Sequence, residues 1–138
     1  MMEITVKAVT ENLDEVTDFV NSALEEHGCS MRIIMKINVV IDEIFANIAS
    51  YAYGPDKGEV TVEMSFEKVP PKVTLTFKDR GKPFDPLKRD DPDTTLDAVH
   101  RKIGGLGIFV VKKTMDEVRY RYADGQNILT VAKYLAEV

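Results

Sequence analysis

Three short stretches of the 138-residue sequence combine residue types and spacings able to do chemistry. In the first, Glu43 and Asn47 stand four apart where Ile34, Ile37, Ile41, Ile44 and Ile48 recur at steps of three and four, so they lie one above the other on a helical face. At about 100° per residue Asn47 falls on the edge of the isoleucine stripe and Glu43 one step further out, which sets both beside a crevice at the core. The same spacing is common on plain solvated faces. In the second, Asp79 ends the apolar pattern Val73, Leu75, Phe77 and precedes Arg80-Gly81. A carboxylate acceptor, of the kind a buried purine needs, then sits at the mouth of a sheet where Gly81 lets a ligand approach the backbone. An Asp before x-Gly equally opens a turn. In the third, Gly104-Gly105-Leu106-Gly107 leads into the apolar run Ile108 to Val111. A flexible backbone feeding a helix N-terminus offers unpaired amide donors and the positive dipole end, which suit a polyphosphate; a structural turn is the alternative. The Walker pattern with its lysine is absent, and no Rossmann glycine fingerprint lies near the N-terminus.

The elements that must position these groups follow from periodicity. Ile4, Val6 and Ala8 alternate as in a half-buried strand, and Asn12 with Glu15 gives a capping-box-like start to a helix running to about Glu26. After the break Gly28 to Ser30, the isoleucine helix should stop near Tyr53-Gly54, since Gly54-Pro55 supplies a left-handed position and a residue that cannot continue the helix. Val60 to Phe66 and Val73 to Phe77 alternate on either side of Pro70-Pro71 and read as a hairpin. Asp79 to Gly105 loses the pattern amid Gly81, Pro83, Pro86 and Pro92, with a short helix around Leu96 to Arg101; a connection of this length in a compact domain is a candidate ligand lid. A helix from Gly107 to about Met115, a strand Val118 to Tyr122, an Asp124-Gly125 turn and a strand around Ile128 to Leu135 complete the order, that of a two-layer α+β sandwich.

Composition excludes several classes. With 44% hydrophobic and 30% charged residues the chain is of globular type, expected to form one domain over residues 1–138. The net charge of −5 weighs against direct nucleic-acid binding. The lone Cys29 has no disulfide partner and Glu3 and Lys7 interrupt any leader, so a reducing cytoplasm is expected, and no apolar run reaches the roughly 18 residues of a membrane span. No Lys or Arg occurs between Lys7 and Arg32, whereas Glu11, Asp14, Glu15, Asp18, Glu25 and Glu26 fall in that gap; one surface should be acidic, as a solvated face or a docking face for a basic partner.

Taken in order, Asp42-Glu43-Ile44-Phe45-Ala46-Asn47, Asp79-Arg80-Gly81-Lys82-Pro83-Phe84 and Gly104-Gly105-Leu106-Gly107-Ile108 resemble the N box, first glycine box and second glycine box of the GHKL ATPases, the superfamily of gyrase, MutL and the sensor histidine kinases. The resemblance covers nearly the whole chain and is closest to the anti-sigma-factor serine/threonine kinases, which share Asp-Glu-x-x-x-Asn with an aromatic-rich helix end, here Tyr51-Ala52-Tyr53-Gly54. It implies a histidine-kinase-like (Bergerat) α/β sandwich with a mixed, mostly antiparallel sheet, helices on one face and an ATP lid at about residues 82–106. It implies ATP and Mg²⁺ as cofactors, with Asn47 on the metal and Asp79 accepting the adenine amino group. Glu43 becomes the base toward a Ser or Thr hydroxyl, and Gly81 lies against the purine. Gly105, Leu106 and Gly107 join the nucleotide-binding set, the two glycines serving as lid hinges and phosphate contacts. Arg101 and Lys102 are placed to neutralise phosphate charge. Asn127 stands where relatives often place a Thr near the nucleotide.

Length separates the branches, because a dimerisation helix bearing a phosphoacceptor His, or the further domains of gyrase-like proteins, do not fit in 138 residues; His27 and His100 read as surface residues. The resemblance therefore implies a kinase that phosphorylates a STAS-type anti-anti-sigma protein and sequesters a sigma factor by partner switching, as a homodimer. A module that binds ATP and controls a partner without transfer is the alternative. One departure stands out: relatives carry a docking arginine on the first helix, and this first helix has none.

Overall fold

The computed structural model describes residues 1–55, 57–88 and 105–136. Alternating apolar residues build five strands: β1 (Met2–Lys7), β2 (Glu59–Lys68), β3 (Pro71–Asp79), β4 (Glu117–Ala123) and β5 (Gln126–Tyr134). They form one sheet of order β1-β2-β3-β5-β4. Each of its four pairings is antiparallel, so the expected mixed character is not found among the described residues. Register puts Val62 opposite Phe77, Phe77 opposite Leu129 and Asp79 opposite Asn127. One face therefore carries the buried Val60, Val62, Met64, Val73, Leu75, Phe77, Leu129 and Val131, and the other is largely Thr, Ser, Glu and Lys, as the period of two demands.

Three helices cover the apolar face: α1 (Leu13–Glu26), α2 (Met31–Asn47) and α3 (Gly105–Thr114). The isoleucine stripe packs as its spacing predicts, with Ile33, Ile34, Ile37, Ile41, Ile44 and Phe45 all buried. Truncating any of these to Ala costs about 2–5 kcal/mol. α1 buries Val16, Val20, Ala23 and Leu24 and turns all six of its acidic neighbourhood, Glu11 to Glu26, to solvent. Ser30 caps α2, its hydroxyl accepting from the Ile33 amide at 3.2 Å, a contribution of about 1 kcal/mol.

Several local expectations are corrected. Asn12 does not cap α1. It lies at the end of a 3₁₀ turn, Thr10–Asn12, with φ −95° and ψ 1° instead of the extended backbone a cap needs, and its amide donates back to the Lys7 carbonyl at 2.9 Å. The left-handed helix stop is Gly28 (φ 70°) after α1, not Gly54. α2 instead widens into a π turn, Ile48–Ala52, and leaves it through an extended Tyr53, and the residue before Pro55 is biased away from helical conformations. The last turn is as read: Asp124 and Gly125 have φ 55° and 74°, a two-residue type I′ hairpin. The short helix expected at Leu96 to Arg101 lies outside the described residues. Among the described residues no helix is long and apolar enough to cross a membrane.

Candidate functional site

The second half of α2, the π turn, the paired ends of β3 and β5 and the first turn of α3 enclose a cleft of roughly 550 Å³, counting its open mouth. Its floor is apolar: Ile44, Ile48, Phe77, Ile108 and Leu129. Tyr51, Phe84 and Tyr120 add aromatic faces, and Asn47, Asp79, Lys82 and Asn127 supply the polar groups. A few convergent polar groups over an apolar bed are what a small planar ligand requires.

Asp79 is buried at the end of β3, 5% exposed. Its Oδ1 accepts from the Gly81 amide and from Asn127 Nδ2, both at 2.9 Å. No described group donates to Oδ2, so one oxygen of a buried carboxylate remains as an acceptor at the cleft. An exocyclic amino group fits that vacancy.

Asn127, opposite Asp79 on β5, ties the site together. Nδ2 also donates to the Lys82 carbonyl at 3.0 Å, while Oδ1 accepts from the Phe84 amide at 3.1 Å and from the Tyr120 hydroxyl. Both donors and both lone pairs of the amide are thus engaged within the chain. Asn127, expected near the nucleotide, stands beside Asp79 at the cleft, and these contacts hold Asp79 and the segment after it. Burial raises the Tyr120 phenol above its ordinary pKa, which keeps it protonated as the donor to Asn127. Tyr53 pins the other side, its hydroxyl accepting from the Arg80 amide at 2.7 Å and donating to the Glu59 carbonyl at 2.6 Å; burial raises this phenol too.

Gly81 was expected to leave room for a ligand, but a Cβ there would run into the Ala52 carbonyl and lie 2.7 Å from the Ala52 side chain. The space is taken by the π turn, whose Ala52 carbonyl also accepts from the Lys82 amide at 3.0 Å. The glycine serves a backbone-to-backbone approach that shapes the cleft wall.

Glu43 and Asn47 are half-buried on one face of α2, as read. Asn47 lines the cleft, and its side chain makes no hydrogen bond among the described residues, which leaves the amide oxygen able to take a hard cation. Glu43 lies past the cleft wall, its carboxylate resting against Gly107 where a Cβ would stand. Gly105, Leu106 and Gly107 form the first turn of α3 instead of a loop before it, so their amides belong to a helix N-terminus facing the end of α2. Gly104, Arg101, Lys102 and most of the lid expected at 82–106 lie outside the described residues. The described residues hold no cluster of three or more His, Cys, Asp or Glu able to seat a metal on its own.

Sequence reasoning missed Tyr51, Phe84, Tyr120 and Lys82 as parts of the cleft. Tyr51 and Phe84 lie inside motifs already singled out. Tyr120 was legible from period two, since it shares the face of β4 that pairs with Leu129.

Fold and cleft together define an ATPase domain of the histidine-kinase kind. The profile of the histidine kinase-like ATPase domain family matches residues 6–133, and the chain belongs to that family, with the use of ATP it entails. It is 31% identical over 116 residues to the serine-protein kinase RsbW of Listeria monocytogenes (serotype 4a, strain HCC23), covering 80% of this chain and 71% of the relative. It is 23% identical over 140 residues to the serine-protein kinase RsbW of Staphylococcus aureus (strain JH9), covering 97% and 86%. These relatives support a serine/threonine kinase activity. Among solved structures, the RsbU and RsbW domains of Rv1364c from Mycobacterium tuberculosis superpose with a TM-score of 0.66 at 16% identity, covering all of this chain and 34% of that one. The SiaB-SiaC complex from Pseudomonas aeruginosa gives 0.60 at 14% identity, covering 94% and 88%. At these identities the likeness is one of fold.

Proposed function

We propose that the chain is a single-domain, ATP-dependent serine/threonine protein kinase that phosphorylates a STAS-type anti-anti-sigma protein and holds a sigma factor by partner switching. The observation that carries the nucleotide half is the Oδ2 of Asp79, to which no described group donates, a buried acceptor facing an apolar, aromatic-lined cleft. The partner half is supported by the likeness to the RsbW kinases and to a fold neighbour solved in complex with SiaC.

Bound MgATP supplies the γ-phosphoryl group and its metal. Asp79 accepts the purine amino group through Oδ2, while Ile44, Ile48, Phe77 and Leu129 take the base out of water. Asn47 offers its amide oxygen to Mg²⁺, and the first-turn amides of α3, with Gly105, Leu106 and Gly107, receive phosphate oxygens. Glu43, past the cleft wall beside Gly107 at the start of α3, would take the proton of an incoming Ser or Thr hydroxyl as that hydroxyl oxygen bonds to the γ-phosphorus and the bond to the bridging oxygen of the leaving ADP breaks. General base catalysis of this kind contributes about 10²–10⁴ in rate. Arg101 and Lys102 are assigned to the phosphate charge, Asn127 to holding Asp79.

The test is intact-mass analysis of a STAS-domain anti-anti-sigma protein incubated with the chain and MgATP. One added phosphoryl group, lost with Glu43→Gln while ATP still binds, is the expected result. ATP binding without transfer by the unaltered chain would leave a nucleotide-dependent binding module.

A further inference from the structure

At the end of the sheet away from the cleft, α2 presents a surface unlike the rest of this acidic chain. Met31, Met35 and Val39 stand on successive turns and are 65%, 61% and 46% exposed, an apolar stripe about 12 Å long. Arg32 and Lys36 run along one edge of it. Both are exposed, and neither side chain has an ion pair or hydrogen bond among the described residues.

Beside that edge lies an open polar cavity of roughly 590 Å³, counting its wide mouth, bounded by Arg32, Lys36, Lys133, Asp116 and Tyr134. Lys133 is 9% exposed and points to the helix side of β5, donating to the Thr114 carbonyl at 3.0 Å. Asp116 lies 3.8 Å from Lys133 and accepts from the Tyr134 amide at 2.8 Å. Among the described residues lining the cavity, Asp116 is the one carboxylate and it is matched from within the chain, so Arg32 and Lys36 are surplus positive charge there. Lys133 is six residues along β5 from Asn127, roughly 20 Å from the nucleotide cleft.

We propose that this face of α2 and the adjoining cavity dock an acidic amphipathic helix of a partner protein. Apolar residues of that helix at steps of three and four cover Met31, Met35 and Val39, in the helix-on-groove mode for which flexible methionines are suited. Carboxylates along one flank pair with Arg32 and Lys36 and enter the cavity toward Lys133. Charge fixes both occupant and orientation: α1, packed against α2, exposes Asp14, Glu15, Asp18, Glu25 and Glu26, which repel an acidic flank on that side and leave the Arg32–Lys36 edge. The inference does not depend on the nucleotide site.

The test uses isotope-labelled full-length chain and a designed helical peptide of roughly 16 residues, with Leu at i, i+4 and i+8 and Glu on one flank, beside a twin with Lys for Glu. The Glu peptide is expected to shift amide resonances of residues 31–39 and 133–134. Its affinity should fall about tenfold or more in Arg32→Glu/Lys36→Glu and fall with added salt, while ATP affinity stays unchanged and the Lys peptide fails to bind. Absence of binding by the Glu peptide, binding indifferent to charge reversal, or shifts mapping to another face would each overturn the proposal. So would concentration-dependent self-association abolished by the same charge reversal, which would seat a second copy there.

Discussion

Asn127 Nδ2 donates to Asp79 Oδ1 at 2.9 Å across the β3–β5 pair, so the buried carboxylate meets the cleft with a single oxygen free to accept. Gly81 holds the same Oδ1 from the other side, and the two contacts fix which oxygen faces a ligand. Replacing Asp79 with Asn removes the charge and puts an amide where an acceptor must stand. Titration calorimetry with MgATP should show affinity lowered about 10- to 100-fold, the loss of a charge-assisted hydrogen bond worth roughly 1.5–3 kcal/mol. Unchanged affinity would remove Asp79 from purine recognition.

Asn127 acts through its neighbours, so its removal should be felt in stability as well as binding. Asn127→Ala strips partners from the Lys82 carbonyl, the Phe84 amide and the Tyr120 hydroxyl. A buried polar group left unsatisfied costs about 1–3 kcal/mol, and for a chain of this size the melting temperature should drop by about 5–10 °C. ATP affinity should fall as well, because Asp79 loses one of its two tethers. A variant that melts like the unaltered chain yet binds ATP poorly would instead make Asn127 a direct ligand contact.

Glu43 and Gly107 are packed so closely that a methyl group on Gly107 must displace the carboxylate. The displaced group is the end of a flexible side chain, so Gly107→Ala should fold, with a stability change within about 1 kcal/mol. It should also lower phosphoryl transfer about tenfold or more with ATP affinity largely kept, because misplacing a catalytic group by about 1 Å costs up to a hundredfold. Single-turnover assays beside ATP titrations separate the two effects; equal loss of both would assign Gly107 to the phosphates alone.

Much of this was legible because the signals were local. The isoleucine spacing of α2, the alternation of β2 and β3 and the Asp124-Gly125 turn each depend on a few adjacent residues, and the structure follows them. Glu43 and Asn47 were placed on one face by counting alone. What escaped depends on contacts between distant segments. That Gly81 is filled by Ala52, and Gly107 by Glu43, follows from how α2 meets β3 and α3. No periodicity records that Asn127 would use all its hydrogen-bonding capacity within the chain. Lys133, in an otherwise apolar register position of β5, breaks the pattern only because the Thr114 carbonyl awaits it.

Tyr120 makes the last of these long-range contacts testable by pH. Its hydroxyl donates to Asn127 Oδ1, and burial, the largest cause, raises it above the ordinary 10.0 of a tyrosine. The folded chain therefore keeps this proton to higher pH than the unfolded chain does. The stabilising contribution is complete below about pH 10, where both states are protonated, and is lost as pH rises through the folded value. The Tyr53 phenol is raised by burial as well, so the informative quantity is the difference from Tyr120→Phe, which lacks the phenol. Urea unfolding of the two proteins should place Tyr120→Phe about 1 kcal/mol lower at neutral pH, the worth of one hydrogen bond, with the gap closing above pH 10 as phenolate forms in the unaltered chain. A gap that stays constant into alkaline solution would mean that the Tyr120 hydroxyl is not the donor on which Asn127, and through it Asp79, depends.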